Sequence, residues 1–212
     1  MYRGQSRPDK LRTTFHRTNR KTLLAYRELA ISEVHNFLSG QHNLSFDLKD
    51  PDDVGAFYSL LQHHGYPTPL LDWTESPFVA AYFAFASIPR HETKGCVRIF
   101  AFDLQWMLDE KQRFTIAFAK PHFSIMKPRN TGNPRAVPQQ ALAALTNVDD
   151  IEAFFETIHV TRGKTYLHAF DIPVTDRKEA MDDLMIMGIQ AGAMMPGLDG
   201  SCRVLRYKHF GD

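Results

Sequence analysis

Apolar positions recur along this chain at two periods. Val54, Phe57, Tyr58, Leu60 and Leu61 repeat at helical spacing, and Gly65 with Pro67 beyond it predicts the C-terminal stop. Thr68 to Trp73 reads as a short buried strand. Ser76-Pro77 then supplies an N-cap and a first-turn proline for a helix whose residues 78–85 are apolar all round, as in a buried helix. Leu23, Leu24, Ala30, Ile31, Val34, Phe37 and Leu38 predict an amphipathic helix over residues 22–38. Residues 95–103 and 114–119 read as strands, and 120–138, punctuated by Pro121, Pro128 and Pro134, as a long irregular loop. A helix with acid at its start is expected over 149–158, a strand over 164–172 stopped by Pro173, a helix over 177–187 stopped by Gly188, and a last strand over 201–207. This order predicts an α+β fold, a mixed or antiparallel sheet core with flanking helices.

Composition narrows the class. The chain has 212 residues, 43% hydrophobic and 23% charged, which suits a single globular domain over residues 1–212. No apolar run is long enough to span a bilayer, and the N-terminus is basic and polar rather than signal-like, so no membrane role is expected. Cys96 and Cys202 lie far apart with no CxxC spacing, which points to a reducing cytoplasmic setting rather than a disulfide framework.

The net charge of +1 hides an uneven distribution. Arg3, Arg7, Lys10, Arg12, Arg17, Arg20 and Lys21 face only Asp9 in the first 21 residues. A second basic stretch holds Lys111, Arg113, Lys120, Lys127, Arg129 and Arg135. Should the two meet in space, they would suit a pyrophosphate or a nucleic-acid backbone; apart, they form a solvated basic surface.

Chemistry concentrates between residues 60 and 86. His63 and His64 are candidate general bases or ligand donors, one expected to line a site and the other to be structural. Asp72 reads as a buried carboxylate able to orient His64, Thr74 or a ribose, or equally as a turn or helix-cap residue. Trp73 is either a stacking platform or core, and Ser76 is fully explained as an N-cap, which leaves Thr74 as the better ligand contact. No G-x-S-x-G, Walker-type, G-x-G-x-x-G or H-E-x-x-H pattern occurs, and no metal site is expected.

The string Leu61-Gln62-His63-His64-Gly65, with Pro67-Thr68, Leu70-Leu71-Asp72-Trp73-Thr74, Ser76-Pro77 and Tyr82-Phe83-Ala84, resembles the FRG domain family. Tyr2-Arg3-Gly4-Gln5 corresponds to the family's naming motif. Lys120-Pro121, the run from Arg135 to Gln139-Gln140, Ile172-Pro173, Gly188-Ile189 and Pro196-Gly197-Leu198-Asp199-Gly200 extend the likeness. In motif order the family resembles ADP-ribosyltransferases. That resemblance implies Arg3 on the first core strand, Thr74 and Ser76 at a strand end before a helix, and Gln139 or Gln140 opening the strand that normally carries a catalytic Glu. The chain departs from the pattern there, because glutamine is no carboxylate.

The resemblance therefore implies an NAD-dependent ADP-ribosyltransferase-like enzyme, or an NAD glycohydrolase, of the kind found among bacterial toxins and anti-phage defence effectors. NAD is the expected substrate. Arg3, Gly4, Gln5, Trp73, Thr74 and Ser76 are expected to bind it, with His64, Asp72 and Gln139 catalytic. The expected acceptor is a nucleic acid or a protein, and a neutralising partner protein is implied as well. The alternative is a non-catalytic module of the same fold that binds a nucleotide, nucleic acid or protein. A third reading is phosphodiester cleavage by His63 or His64.

Overall fold

The sheet grows outward from two strands that barely touch. Strand β1 (Tyr2–Gln5) meets β2 (Leu70–Thr74) through one residue pair, Tyr2 with Thr74. Beyond that pair β1 runs along β3 (Cys96–Phe102), while β2 runs along β5 (Ala141–Thr146). The edges are β4 (Phe123–Met126) on β5 and β6 (Leu167–Pro173) on β3. The order is β4-β5-β2-β1-β3-β6 and every pairing is antiparallel, as an α+β chain allows. The structure is a computed structural model that describes residues 1–18, 22–42, 44–116, 120–127 and 133–210.

Side chains of β2 alternate between two cores, as a strand's period of two requires. Leu71 and Trp73 join Phe100, Phe102 and Phe123 beneath helix α6 (Ile151–Arg162), which contributes Ile151, Phe155 and Ile158. Leu70 turns the other way, with Ala143 and Leu145, against Phe57 and Leu61 of α3 (Pro51–His63). The N-terminal helical stretch completes that second core through Tyr26, Ala30 and Ile31; it comprises α1 (Leu23–Ala25), a π-helical segment (Tyr26–Ile31) and α2 (Ser32–His42).

Helix α4 (Pro77–Phe85) starts where expected, with the Ser76 hydroxyl accepting from the Val79 N–H at 3.3 Å. It lies directly on β1. A Cβ placed on Gly4 would stand 1.9 Å from the Ala80 carbonyl oxygen, so only glycine permits this approach. Further helices follow: α5 (Trp106–Asp109), α7 (Arg177–Ile186), α8 (Ala191–Met194) and α9 (Leu198–Phe210). Val79 and Tyr82 of α4 pack with Leu184, Met194 and Met195 of the C-terminal helices.

Three expectations are corrected. Residues 201–207 belong to helix α9, not to a strand: Val204 is the one β-branched residue there, beside Arg203, Leu205 and Arg206, which favour helix. The loop over 120–138 contains β4, whose four residues are all buried against β5. Phe114 to Ile116 are not a strand, and 117–119 lie outside the described residues, as do Arg20, Lys21, Pro128 and Arg129. The helix expected over 22–38 runs on to His42, with a π-helical stretch within it. No described helix is long and apolar enough to cross a membrane.

Candidate functional site

Divergence of β1 from β2 below the Tyr2–Thr74 pair opens a cleft of about 470 Å³. Near the fork, Nη1 of Arg3 donates to the Asp72 carbonyl at 2.5 Å, so a side chain rather than a ladder bond joins the two strands there. The cleft reaches from β1 past β2 to the start of β5, with Ser59, Gln62 and His63 of α3 on one side.

Arg3, Gly4, Gln5, Asp72, Trp73, Thr74 and Gln139, all expected at a site, do line this cleft. His64, Ser76 and Gln140 do not; the histidine at the wall is His63. His64 caps α3, its backbone N–H bonding the Leu60 and Leu61 carbonyls at 3.2 and 3.1 Å. Ser76 serves as an N-cap. Gln140 adopts φ 47°, a left-handed conformation that turns the chain into β5 while its carbonyl accepts from Glu75 N–H at 3.0 Å.

Several residues carry structural duties that the sequence left open. Trp73 is 3% exposed, with its ring 5.8 Å from Phe102 and 6.3 Å from Phe123, so its indole is a core ring. Asp72, read above as a buried carboxylate, is exposed on the cleft side of β2. The reason is the alternation of β2, which buries Leu71 and Trp73 on one face and leaves Asp72 to the other, where the strands part. Thr74 donates its hydroxyl to the Gln139 carbonyl at 2.7 Å and accepts from Ser76 N–H at 3.1 Å. Gln139 in turn donates its amide to the Met194 carbonyl at 2.8 Å, which leaves its side-chain oxygen as the group able to accept from a ligand.

Among the described residues, Arg3 and Gln5, which line the cleft, each carry a buried side-chain polar atom with no partner, Arg3 Nε and Gln5 Oε1. Buried donors and acceptors are nearly always paired, so a donor and an acceptor left over at one cleft mark it as a place that receives polar groups.

The charge of the cleft is the feature that single-residue reasoning missed. Arg7, Arg17 and Arg135 join Arg3 along its walls, against Asp9 and Asp72. The two basic stretches do meet. Three other cations of these stretches are held by carboxylates: Lys10 pairs with Asp150 at 2.6 Å, Arg12 with Asp149 at 2.5 Å and Lys127 with Glu75 at 3.1 Å. Among the described residues Arg7, Arg17 and Arg135 form no ion pair. Burial lowers the pKa of Arg3, with Asp72 opposing the shift and Arg17 adding to it. His63 is lowered too, first by desolvation, then by Arg135 and His64, with Asp72 opposing. The arginines gathered along the cleft make the local field positive, and such a field favours anions.

No curated protein and no solved structure matches the chain. The family model of the FRG domain matches residues 1–93, a segment that carries β1, β2, α3 and α4 and hence both strands of the fork. Over these residues the chain is similar to the FRG domain family.

Proposed function

We propose that the cleft binds a dinucleotide through its phosphates and that the protein is an ADP-ribosyltransferase-like enzyme that consumes NAD. The observation that carries this reading is the convergence of Arg3, Arg7, Arg17 and Arg135 at a fork also lined by Asp72, Thr74 and Gln139. Arg3 stands on the first strand, Thr74 ends the second, and Gln139 precedes β5, the three places that the resemblance to ADP-ribosyltransferases assigns to ligand contacts.

Guanidinium groups match phosphate oxygens in pairs, so the arginines are suited to the pyrophosphate. The Gln139 side-chain oxygen is free to accept from ribose hydroxyls. In the reaction the bond between ribose C1′ and the nicotinamide nitrogen breaks, and its electron pair leaves with neutral nicotinamide. An acceptor oxygen or nitrogen, of a protein, a nucleic acid or water, then bonds C1′ and releases a proton. Asp72, exposed in the same cleft, is the carboxylate available to stabilise positive charge developing at C1′, the task for which glutamine is unsuited. His63, held neutral, is placed to take the acceptor's proton.

The test is nicotinamide release from NAD by purified protein, with and without cellular protein and RNA, beside Arg3→Ala and Asp72→Asn. Release that both substitutions reduce supports the enzyme. A binding-only reading is favoured by one observation: the Gln139 amide is already held by the Met194 carbonyl, and no Glu replaces it at this position. That reading predicts saturable, salt-sensitive NAD binding and no released nicotinamide. Failure of NAD to bind at all sinks both. The toxin or defence role and a neutralising partner rest on the transferase reading and stand or fall with released product.

A further inference from the structure

A second cavity, of about 780 Å³, lies between the C-terminal end of α4 and helices α7, α8 and α9. It is on another side of α4 from the cleft: Tyr82 lines this cavity, whereas Ala80 and Phe83 line the cleft. Its walls have two characters. Tyr82, Met181, Ile189 and Val204 form an apolar part. Arg90, Arg177, Arg203 and Lys208 bring positive charge, and among the described residues no carboxylate lines the space.

Arg177 is the unusual member. It is only 7% exposed, its Nε is enclosed without a partner, and among the described residues its side chain makes no ion pair. Asp182, the nearby carboxylate on the same helix, is paired with Lys178 at 2.7 Å. Burial lowers the Arg177 pKa, with Tyr207 opposing and Arg90 adding to the shift. Arg90 itself lies 4.5 Å over the Tyr207 ring. Arg177 is also the first residue of α7, where the helix dipole already places positive charge. A buried guanidinium with no counter-charge at a helix N-terminus is costly in isolation, and an anion brought into the cavity relieves that cost.

We propose that this cavity is a second ligand site, taking an organic anion whose phosphate or carboxylate head meets Arg177 and whose apolar body lies along Met181, Ile189 and Val204. The head is selected by an enclosed cation, the body by a wall of aliphatic side chains. Both halves are needed, since Arg90, Arg203 and Lys208 alone would hold any small anion at the rim.

The experiment is calorimetric titration of the whole chain with octyl phosphate and octanoate, and with inorganic phosphate and octanol as half-ligands. Expected is saturation at one site by at least one amphiphilic anion, about tenfold tighter than either half-ligand, with Arg177→Met weakening it by about tenfold. Phosphate and carboxylate heads are told apart by which amphiphile binds more tightly. The unliganded Arg177→Met protein should melt no lower than the parent, because an uncompensated buried charge has been removed. Arg203→Gln, at the rim, should weaken binding several-fold less than Arg177→Met does, and it supplies the variant should Arg177→Met fail to fold. Absence of saturable binding, or binding that neither substitution changes, overturns the proposal. Inorganic phosphate binding as tightly as octyl phosphate removes the apolar half and with it the proposed ligand class.

Discussion

The Thr74 hydroxyl donates to the Gln139 carbonyl at 2.7 Å while accepting from the Ser76 backbone N–H at 3.1 Å. One side chain thus ties the end of β2 to the turn that enters β5 and to the cap of α4. Three pieces of the cleft are held in register by an oxygen that a ligand contact alone would not have required.

Thr74→Val should therefore act on stability first. Valine keeps the shape and removes the hydroxyl, so a carbonyl and an N–H lose their partner in a site where Thr74 is 5% exposed. Leaving such groups unpaired costs roughly 1–3 kcal/mol each. For a chain of this size a loss of about 2 kcal/mol lowers Tm by roughly 4–8 °C. Thr74→Ser, which restores the oxygen, should recover most of the loss in a thermal melt; equal melting of the Val and Ser variants would show that the hydroxyl is not holding the turn.

Gly4→Ala tests the contact between β1 and α4. The new methyl would meet the Ala80 carbonyl oxygen at 1.9 Å and the Ala84 nitrogen at 2.8 Å, both backbone atoms that cannot swing aside. Overpacking of this kind costs about 1–3 kcal/mol or more. A denaturant midpoint equal to the parent's would mean that β1 is not pressed against α4. The glycine of the naming motif thus has a packing reason that is independent of any ligand.

Legibility of the chain followed the physics of each element. Helices α3 and α4 were readable because the apolar spacing from Val54 to Leu61 and Gly65, at φ 82°, mark α3, while Ser76 and Pro77 open α4. Strand β4 was not, because four buried residues between prolines give no alternation to detect. Helix α9 was misread because Arg203, Val204 and Leu205 carry no clear period over so short a window. In the site, the residues came from the motifs but their duties did not. Whether Trp73 was platform or core depended on Phe102 and Phe123, distant in sequence. Arg17 and Arg135 were visible only as members of basic stretches, since charge alone does not say which cations find carboxylates, as Lys10 and Arg12 do, and which turn to a cleft.

Arg17 and Arg135 carry the next prediction. Each lines the cleft without an ion pair among the described residues, so Arg17→Gln and Arg135→Gln should leave the melting temperature within about 2 °C of the parent, as surface changes do. Each should weaken binding of inorganic pyrophosphate by roughly tenfold, the worth of one charge-assisted contact. The affinity should also become less sensitive to salt as cations are removed. Calorimetric titration at two salt concentrations checks both points, and unchanged affinity in the double substitution would remove the arginines from the site.

His16 predicts a pH dependence of stability. The ring is 9% exposed, and its Nδ1 lies 2.7 Å from the Thr13 hydroxyl. Burial lowers its pKa, opposed by Asp149 and reinforced by Arg12. The unfolded chain has the ordinary histidine value of about 6.5. Above that value both states are neutral and the stability is complete. As pH falls from about 6.5 toward the lower folded value, the unfolded state takes up a proton that the fold resists, so stability is lost through that window and the loss stops below it. His122, lowered by burial as well, acts in the same direction. His16→Gln should therefore shrink, without abolishing, the fall in Tm between pH 7 and pH 5, relative to the drop measured for the parent. A parent Tm that stays flat across the window, or a His16→Gln slope as steep as the parent's, would place the His16 proton equilibrium at its ordinary value and contradict the buried, neutral ring.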